Sequence, residues 1–457
     1  MTSRDTPPKS EAPLRGGDEL ELAFSDLLAN GQGVGRAGGL VVFCFGPLPG
    51  EIARVRVATV KQRYAVANLI EVLRESPERT QPFCPVFGAC GGCQLQHLDY
   101  PAQLAWKRET VRAALERIGG IAGAGVSETL GMARPREYRN KMALVVDPTR
   151  DPAALGFYRQ RTHDVVPIAA CPVVSPALNA GLAKLDAMRR AEPMKTVLRE
   201  ARHLVARSAS SGESVLAIAT QRSSESARGA APSLLRAIPN LAGVSNSFDP
   251  ASTNAILGRR QRVIAGEDEI EERIGGVVYR VSSGSFFQVN VEIVGRIFDY
   301  LAPLLKKPMK VVDLFCGVGT FALYFAKNGS SVYGIEESAQ AVAEAQANAR
   351  RNGLEGSVRF TAGRVEQLAG SPAVSKSLRE ANVLFLDPPR KGCDEVTLQA
   401  IARARVPELW YLSCDPATLA RDLKFLVAKG YRLGTVQPFD MFPQTGHVET
   451  FVRMEYS

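Results

Sequence analysis

Three side chains of this sequence stand where chemistry is done rather than where cores are packed. Cys414 lies in YLSCDPATLARDL, between a strand-like run and a helix start, so its thiol sits near the partial positive end of a helix, where the thiolate is favoured. Asp387 closes the strand-like run of FLDPPRKG, and Glu449 stands beside the short strand of HVETF, with His447 two residues before it. A thiolate with carboxyls at strand ends has the parts of covalent catalysis with proton transfer. The bland alternatives are an inert apolar thiol and carboxylates that line the surface.

A second constellation is made of sulfur. PFCPVFGACGGCQLQHLDY separates Cys84, Cys90 and Cys93 by five and two residues, and Cys171 follows 78 residues after Cys93. Eight cysteines in 457 residues are too sparse for a disulfide scaffold. Four thiolates fit zinc or an iron–sulfur cluster, and three close ligands with one remote are more natural for a cubane whose last corner pins another segment.

The third motif is VVDLFCGVGTFALYFA, with Asp313 at a strand end, then Gly317 and Gly319 in a turn, then a helix. Glycines let a ligand approach the backbone closely. Gly317, Gly319 and Ala322 loosely match a dinucleotide-binding turn, and Glu336 at the next strand end can accept from ribose hydroxyls. This feature alone leaves a nicotinamide dinucleotide and S-adenosylmethionine both open.

The elements that position these residues follow from periodicity. KVVDLF, SVYGIE, VRF, NVLFLD and ELWYLS read as strands, alternating with helices at 319–327, 338–351 and 417–429, which describes a doubly wound α/β domain with ligands at the carboxyl ends of its strands. From Glu19 to about Leu73, short β-prone runs separated by NGQGVG and GPLPG predict a small β-barrel, with Arg54, Arg56, Lys61 and Arg63 offering a basic face. PAQLAWKRETVRAALERIG predicts a helix, with Leu104, Val111, Leu115 and Ile118 at helical spacing. Residues 130 to 280 mix strand-like runs with a Ser- and Ala-rich interruption around 207–232, and their topology is not legible. The chain carries 56 Lys and Arg against 47 Asp and Glu, a net +9 that is compatible with a polyanionic partner. With no apolar run long enough to cross a bilayer and no apolar stretch at the start, a cytoplasmic protein is expected.

Together, the cysteine spacing, DLFCGVGTF, LDPPRKG, LSCDPATLARDL and HVETF resemble the bacterial RNA uridine-C5 methyltransferases, in particular the branch acting on 23S ribosomal RNA, over almost the whole chain from about Glu19. The resemblance implies an α/β multidomain fold. The polar, Pro-rich residues 1–17 read from composition as a disordered lead, and by the resemblance 18–76 are an OB-like TRAM β-barrel that binds RNA. Residues 77–97 and about 125–284 form an α+β middle domain with an iron–sulfur cluster, and about 98–124 and 285–457 a Rossmann-like methyltransferase domain. It implies Cys84, Cys90, Cys93 and Cys171 as ligands of a [4Fe-4S] cluster, and S-adenosylmethionine as the methyl donor. Donor-site positions fall on Gln288, Asp313, Phe315, Gly317, Gly319, Thr320, Glu336, Arg364 and Asp387.

The same resemblance makes Cys414 the nucleophile and Glu449 the base that removes the C5 proton, with Asp387 and Gln288 beside donor and substrate. Thr320 and Arg364 depart from the family pattern, as does Asp415, where relatives often carry Asn and a negative neighbour raises the thiol pKa. The implied partner is ribosomal RNA, presenting a loop or flipped-out uridine to a monomer that needs no obligate protein partner and no membrane. The alternatives are the same chemistry on transfer RNA and a non-catalytic RNA-binding protein of ribosome assembly.

Overall fold

A computed structural model of the protein describes residues 14–249, 255–305 and 308–457. The chain divides into two compact units, Met1–Gln103 with Gln444–Gly446, and Leu104–Pro443 with His447–Ser457.

In the first unit, strands Glu19–Leu27, Gln32–Ala37, Leu40–Phe45, Ile52–Val60 and Tyr64–Arg74 close into a barrel, the fifth lying between the third and the fourth. Alternation drives the closure: Ala53, Val55 and Val57 point into the core while Arg54 and Arg56 point out. Leu14 joins this core and the Gly17 amide donates to the Val57 carbonyl at 2.8 Å, so residues 14–17 of the expected lead belong to the barrel. Residues 1–13 of that lead lie outside the described residues.

The basic face is weaker than its sequence suggests. Arg54 pairs with Glu21 at 3.0 Å and also with Glu71, and Arg56 pairs with Glu19 at 2.6 Å. Cross-strand partners with acidic side chains neutralise two of the four expected cations.

The iron–sulfur expectation is overturned. Among the described residues, no group of three or more His, Cys, Asp or Glu side chains is arranged to hold a metal ion. The segment around Cys84, Cys90 and Cys93 is instead closed by its own hydrogen bonds. The Phe87 amide donates to the Cys84 carbonyl at 3.1 Å, the Cys90 amide to the Val86 carbonyl at 2.9 Å, and the Cys84 amide to Gln96 Oε1 at 3.1 Å. In the other unit, Asn179 brackets Cys171, accepting from its amide at 2.9 Å and donating to its carbonyl at 3.0 Å. Among the described residues, Cys84, Cys90, Cys93 and Cys171 form no site for the expected [4Fe-4S] cluster, and the middle domain is not cluster-bearing.

The second unit holds two seven-stranded sheets. One is mostly antiparallel, in the order Arg260–Gly266, Leu241–Phe248, Ser214–Thr220, Ala201–Ser208, Lys141–Asp147, Ala154–Tyr158, Val165–Pro167. The other runs Val358–Ala362, Ser331–Glu336, Lys310–Leu314, Val383–Leu386, Glu408–Ser413, Glu449–Tyr456, Tyr431–Phe439. Its first five strands are parallel and its last two antiparallel. Val383–Leu386 and Leu409–Ser413 are buried throughout, as strands covered on both faces must be. Helices Thr320–Lys327, Ala339–Arg351 and Pro416–Ala428 follow their strands within one residue of the periodicity. The helix Tyr100–Arg117 sends Val111, Ala114 and Leu115 into the same core as Leu314, Leu386 and Leu423, while Ile118 is exposed.

Candidate active site

The carboxyl ends of the parallel strands open into one cavity of about 740 Å³. Gln288, Asp313, Phe315, Gly317, Thr320, Glu336, Asp387, Cys414 and Glu449 all line it. Two expected residues do not. Gly319 caps the helix Thr320–Lys327 at φ 85°, and a Cβ there would meet Ala345 and Leu323 at 3.3 Å, so it serves helix packing. Arg364 is exposed and pairs with Glu366, which does line the cavity.

The strand Lys310–Leu314 ends in a strained turn. Phe315 takes φ 70°, unusual for a bulky residue, and its amide and that of Cys316 both donate to the Ile335 carbonyl, at 2.9 and 3.0 Å. A Cβ built on Gly317, at φ 56°, meets nothing within 4 Å, so the backbone there faces open space. Glu336 stabilises the turn, accepting from the Gly317 amide at 3.1 Å and the Ser338 amide at 2.9 Å.

Asp313 is buried, and neither of its carboxyl oxygens is within hydrogen-bonding geometry of a donor, although the Ala322 amide acts to lower its pKa. Burial first, then Asp387 and Glu336, push its pKa well above the carboxylate range. An orphaned acid, a backbone cradle with room for a ligand, and further carboxylates at Glu336 and Glu337 fit a cationic adenosyl-type donor such as S-adenosylmethionine.

Cys414, Asp387 and Glu449 line the same cavity. Burial, then Glu449 and Asp387, push the half-buried Cys414 thiol up to about 12, and Arg390 opposes them. Asp415 adds the smallest upward push, and its Oδ1 caps the helix Pro416–Ala428, accepting from the Ala417 and Thr418 amides at 3.0 Å each. Glu449, 4% exposed, is raised well above its usual range by burial and by Asp387, and its Oε1 has no hydrogen-bond partner. Asp387 is pushed up to about 7 by burial.

Arg390 escaped the sequence reading. It follows Asp387-Pro-Pro, lines the cavity, and donates to His447 Nε2 at 3.0 Å. Burial and Arg390 hold His447 down at about 4, so the imidazole is neutral near pH 7. A cation three residues after a strand-end carboxylate was the available signal. Phe286, 73% exposed and lining the cavity two residues before Gln288, carried no sequence signal of its own.

The sequence pattern of the family described as tRNA (Uracil-5-)-methyltransferase matches residues 253–456, and that of the TRAM domain matches 13–70. An uncharacterized RNA methyltransferase of Halalkalibacterium halodurans is 34% identical over 98% of this chain and 99% of its own length. One of Gloeobacter violaceus is 36% identical, with the same coverage. The crystal structure of Pyrococcus abyssi tRNA (uracil-54, C5)-methyltransferase in complex with S-adenosyl-L-homocysteine superposes with a TM-score of 0.74 at 23% identity, covering 95% of this chain and 99% of that one, which shows a common fold. These relatives and the absence of a metal-binding group among the described residues overturn the expected 23S-specific, cluster-bearing branch. The chain belongs to the uridine-C5 RNA methyltransferase family that joins a TRAM domain to an S-adenosylmethionine-binding fold.

Proposed function

We propose that the protein methylates C5 of a uridine in transfer RNA, using Cys414 as nucleophile and Glu449 as base. The observation that carries the reading is the gathering of Cys414, Glu449, Asp387 and Gln288 on one cavity with the Gly317 turn. Transfer RNA is preferred over ribosomal RNA because the matching family pattern is described by that substrate.

Uracil C5 is a poor nucleophile until electron density reaches it. The Cys414 thiolate adds to C6, forming an S–C6 bond and driving the C5–C6 π pair toward C5 and O4. S-adenosylmethionine, when bound, would supply an electrophilic methyl group that C5 takes up as the sulfonium S–CH3 bond breaks, the electron pair leaving on the thioether. Gln288, and Asp387 in its protonated form, orient the base edge on which charge develops. Glu449 removes the C5 proton, the S–C6 bond breaks, and the double bond returns with Cys414 released. Arg390 balances negative charge on Cys414 and Glu449. A base stacked in a helix exposes neither face, so the uridine must come from a loop or be flipped out.

The test is incubation with unmodified transfer RNA and ribosomal RNA plus labelled methyl donor, followed by mapping of the modified nucleotide. Label at C5 of a transfer-RNA uridine is expected. Label in ribosomal RNA alone overturns the choice of RNA, and no label in either overturns the enzymatic reading.

A further inference from the structure

Lys141 and Arg207 face each other across the antiparallel strands Lys141–Asp147 and Ala201–Ser208. Both donate to one acceptor, the Ser285 carbonyl, Arg207 Nη2 at 2.9 Å and Lys141 Nζ at 3.5 Å. Like charges placed opposite each other in a ladder repel. Arg207 is only 2% exposed, and its Nε and Nη1 are buried with no acceptor. Glu344 and Glu272 act on it electrostatically without forming an ion pair with it, and other groups engage their carboxylates. Glu344 accepts from Ser282 and Ser285, and Glu272 from the Ser210 and Arg273 amides. Lys141 is half-buried, with Arg139 as a further cationic neighbour, and burial with these charges brings it down to about 8. Among the described residues, neither cation has a carboxylate partner. A buried cation without a counter-ion is costly, so this pair is built for an anion that arrives from outside.

Position says which anion. Ser285 lines the reaction cavity, and Phe286 and Gln288 follow it on the same loop. Lys141 is the member of the pair that reaches the surface. We propose that Lys141 and Arg207 form a phosphodiester subsite for bound RNA at the Ser285–Gln288 rim. Lys141 meets a phosphate oxygen directly. Arg207, behind it, is a positioning residue that supplies fixed charge and holds the Ser285 carbonyl. This rests on the RNA-methylating reading of the cavity.

The experiment measures binding of a transfer-RNA transcript to the full chain across a KCl series, alongside methylation kinetics. Replacing Lys141 with Gln should weaken RNA binding roughly tenfold near 0.1 M salt and flatten the slope of log K against log salt by about 0.7–1, the signature of one lost phosphate contact. The kinetic loss falls on KM, and Lys141→Arg restores binding. Arg207→Lys, which keeps charge but loses the fork, should weaken binding less than Lys141→Gln.

If Lys141→Gln leaves affinity and slope unchanged in a protein that methylates RNA, the subsite is wrong and the function stands. RNA held through Lys141 without methyl transfer refutes the function and spares the subsite. Absence of RNA binding by the unaltered protein overturns both. Inorganic phosphate that protects Lys141 from acylation at equal ionic strength, where RNA does not, marks a free-phosphate site and overturns the RNA assignment.

Discussion

Cys414 and Glu449 are brought opposite each other by strand register. Ser413 pairs with Thr450 in the antiparallel ladder between Glu408–Ser413 and Glu449–Tyr456, so the residue after one and the residue before the other meet at the same sheet edge. The Glu449 carboxyl then raises the cost of ionising the thiol, with Asp387 adding to the cost for both groups and Arg390 relieving both. The cavity holds more acid than its cations balance. Entry of a cationic sulfonium offsets that excess and makes the thiolate easier to form.

Replacing Cys414 with Ala should reduce methylation by on the order of 10⁴-fold or more, because no other thiol of the cavity wall can reach C6 in its place. Cys316, which also lines the cavity, is buried in the turn with its thiol pKa pushed far up. Denaturing gels of protein mixed with RNA should lose the covalent adduct. Ordinary turnover by this variant excludes the nucleophile assignment.

Glu449→Gln removes the base but leaves the thiol, and it also removes a negative neighbour of Cys414. Addition and methylation should therefore proceed while elimination stalls. The expected observation is methylated RNA that stays bound to the protein through denaturation, and rapid release of product counts against the role.

What was legible in the sequence was what local signals encode. Prolines and glycines at strand ends marked Asp387, Cys414 and the Gly317 turn, and alternation marked the barrel. The middle sheet was hidden for physical reasons. Ser214–Thr220 is buried on both faces and shows no alternation, Arg260–Gly266 is a polar and largely exposed edge, and the helix Glu225–Ala237 contains Pro232. Arg390 was obscure because its significance depends on His447, 57 residues away in sequence. The cysteine spacing misled because a metal site is a three-dimensional arrangement, of which close spacing in the chain supplies only part.

Asp387 predicts how stability varies with pH. Its folded-state pKa is about 7, above the ordinary 3.8, so between these values the folded chain keeps a proton that the unfolded chain releases. This contribution favours the folded state at low pH and is lost as pH rises through that window. Asp387→Asn should therefore gain stability relative to the unaltered protein as pH rises from about 4 to 7, read as urea midpoints at both ends. An offset independent of pH contradicts the shift.

Asp415 is expected to matter as a cap more than as a charge. Asp415→Asn keeps an oxygen for the Ala417 and Thr418 amides, so stability should hold, and the Cys414 thiol should become only slightly more acidic. Asp415→Ala loses the cap and should cost about 1 kcal/mol. Iodoacetamide reactivity against pH checks the first effect and urea denaturation the second. A large reactivity shift in the Asn variant means that charge dominates.

Lys107 and Asp440 form an ion pair in which both side chains are fully buried, and Lys107 also donates to the Phe442 carbonyl at 3.1 Å. Phe442 lines the cavity, so the pair fixes a piece of the reaction wall to the helix Tyr100–Arg117. Lys107→Met leaves a buried carboxylate without its cation and should cost about 3–5 kcal/mol. Adding Asp440→Leu removes the stranded charge and should recover much of that loss in urea denaturation. If the double variant is no more stable than the single one, the pair's role lies in its hydrogen bonds rather than in mutual neutralisation. Methylation kinetics separate the two contributions further: a double variant that refolds fully yet turns over slowly has lost the placement of Phe442, not the stability of the domain.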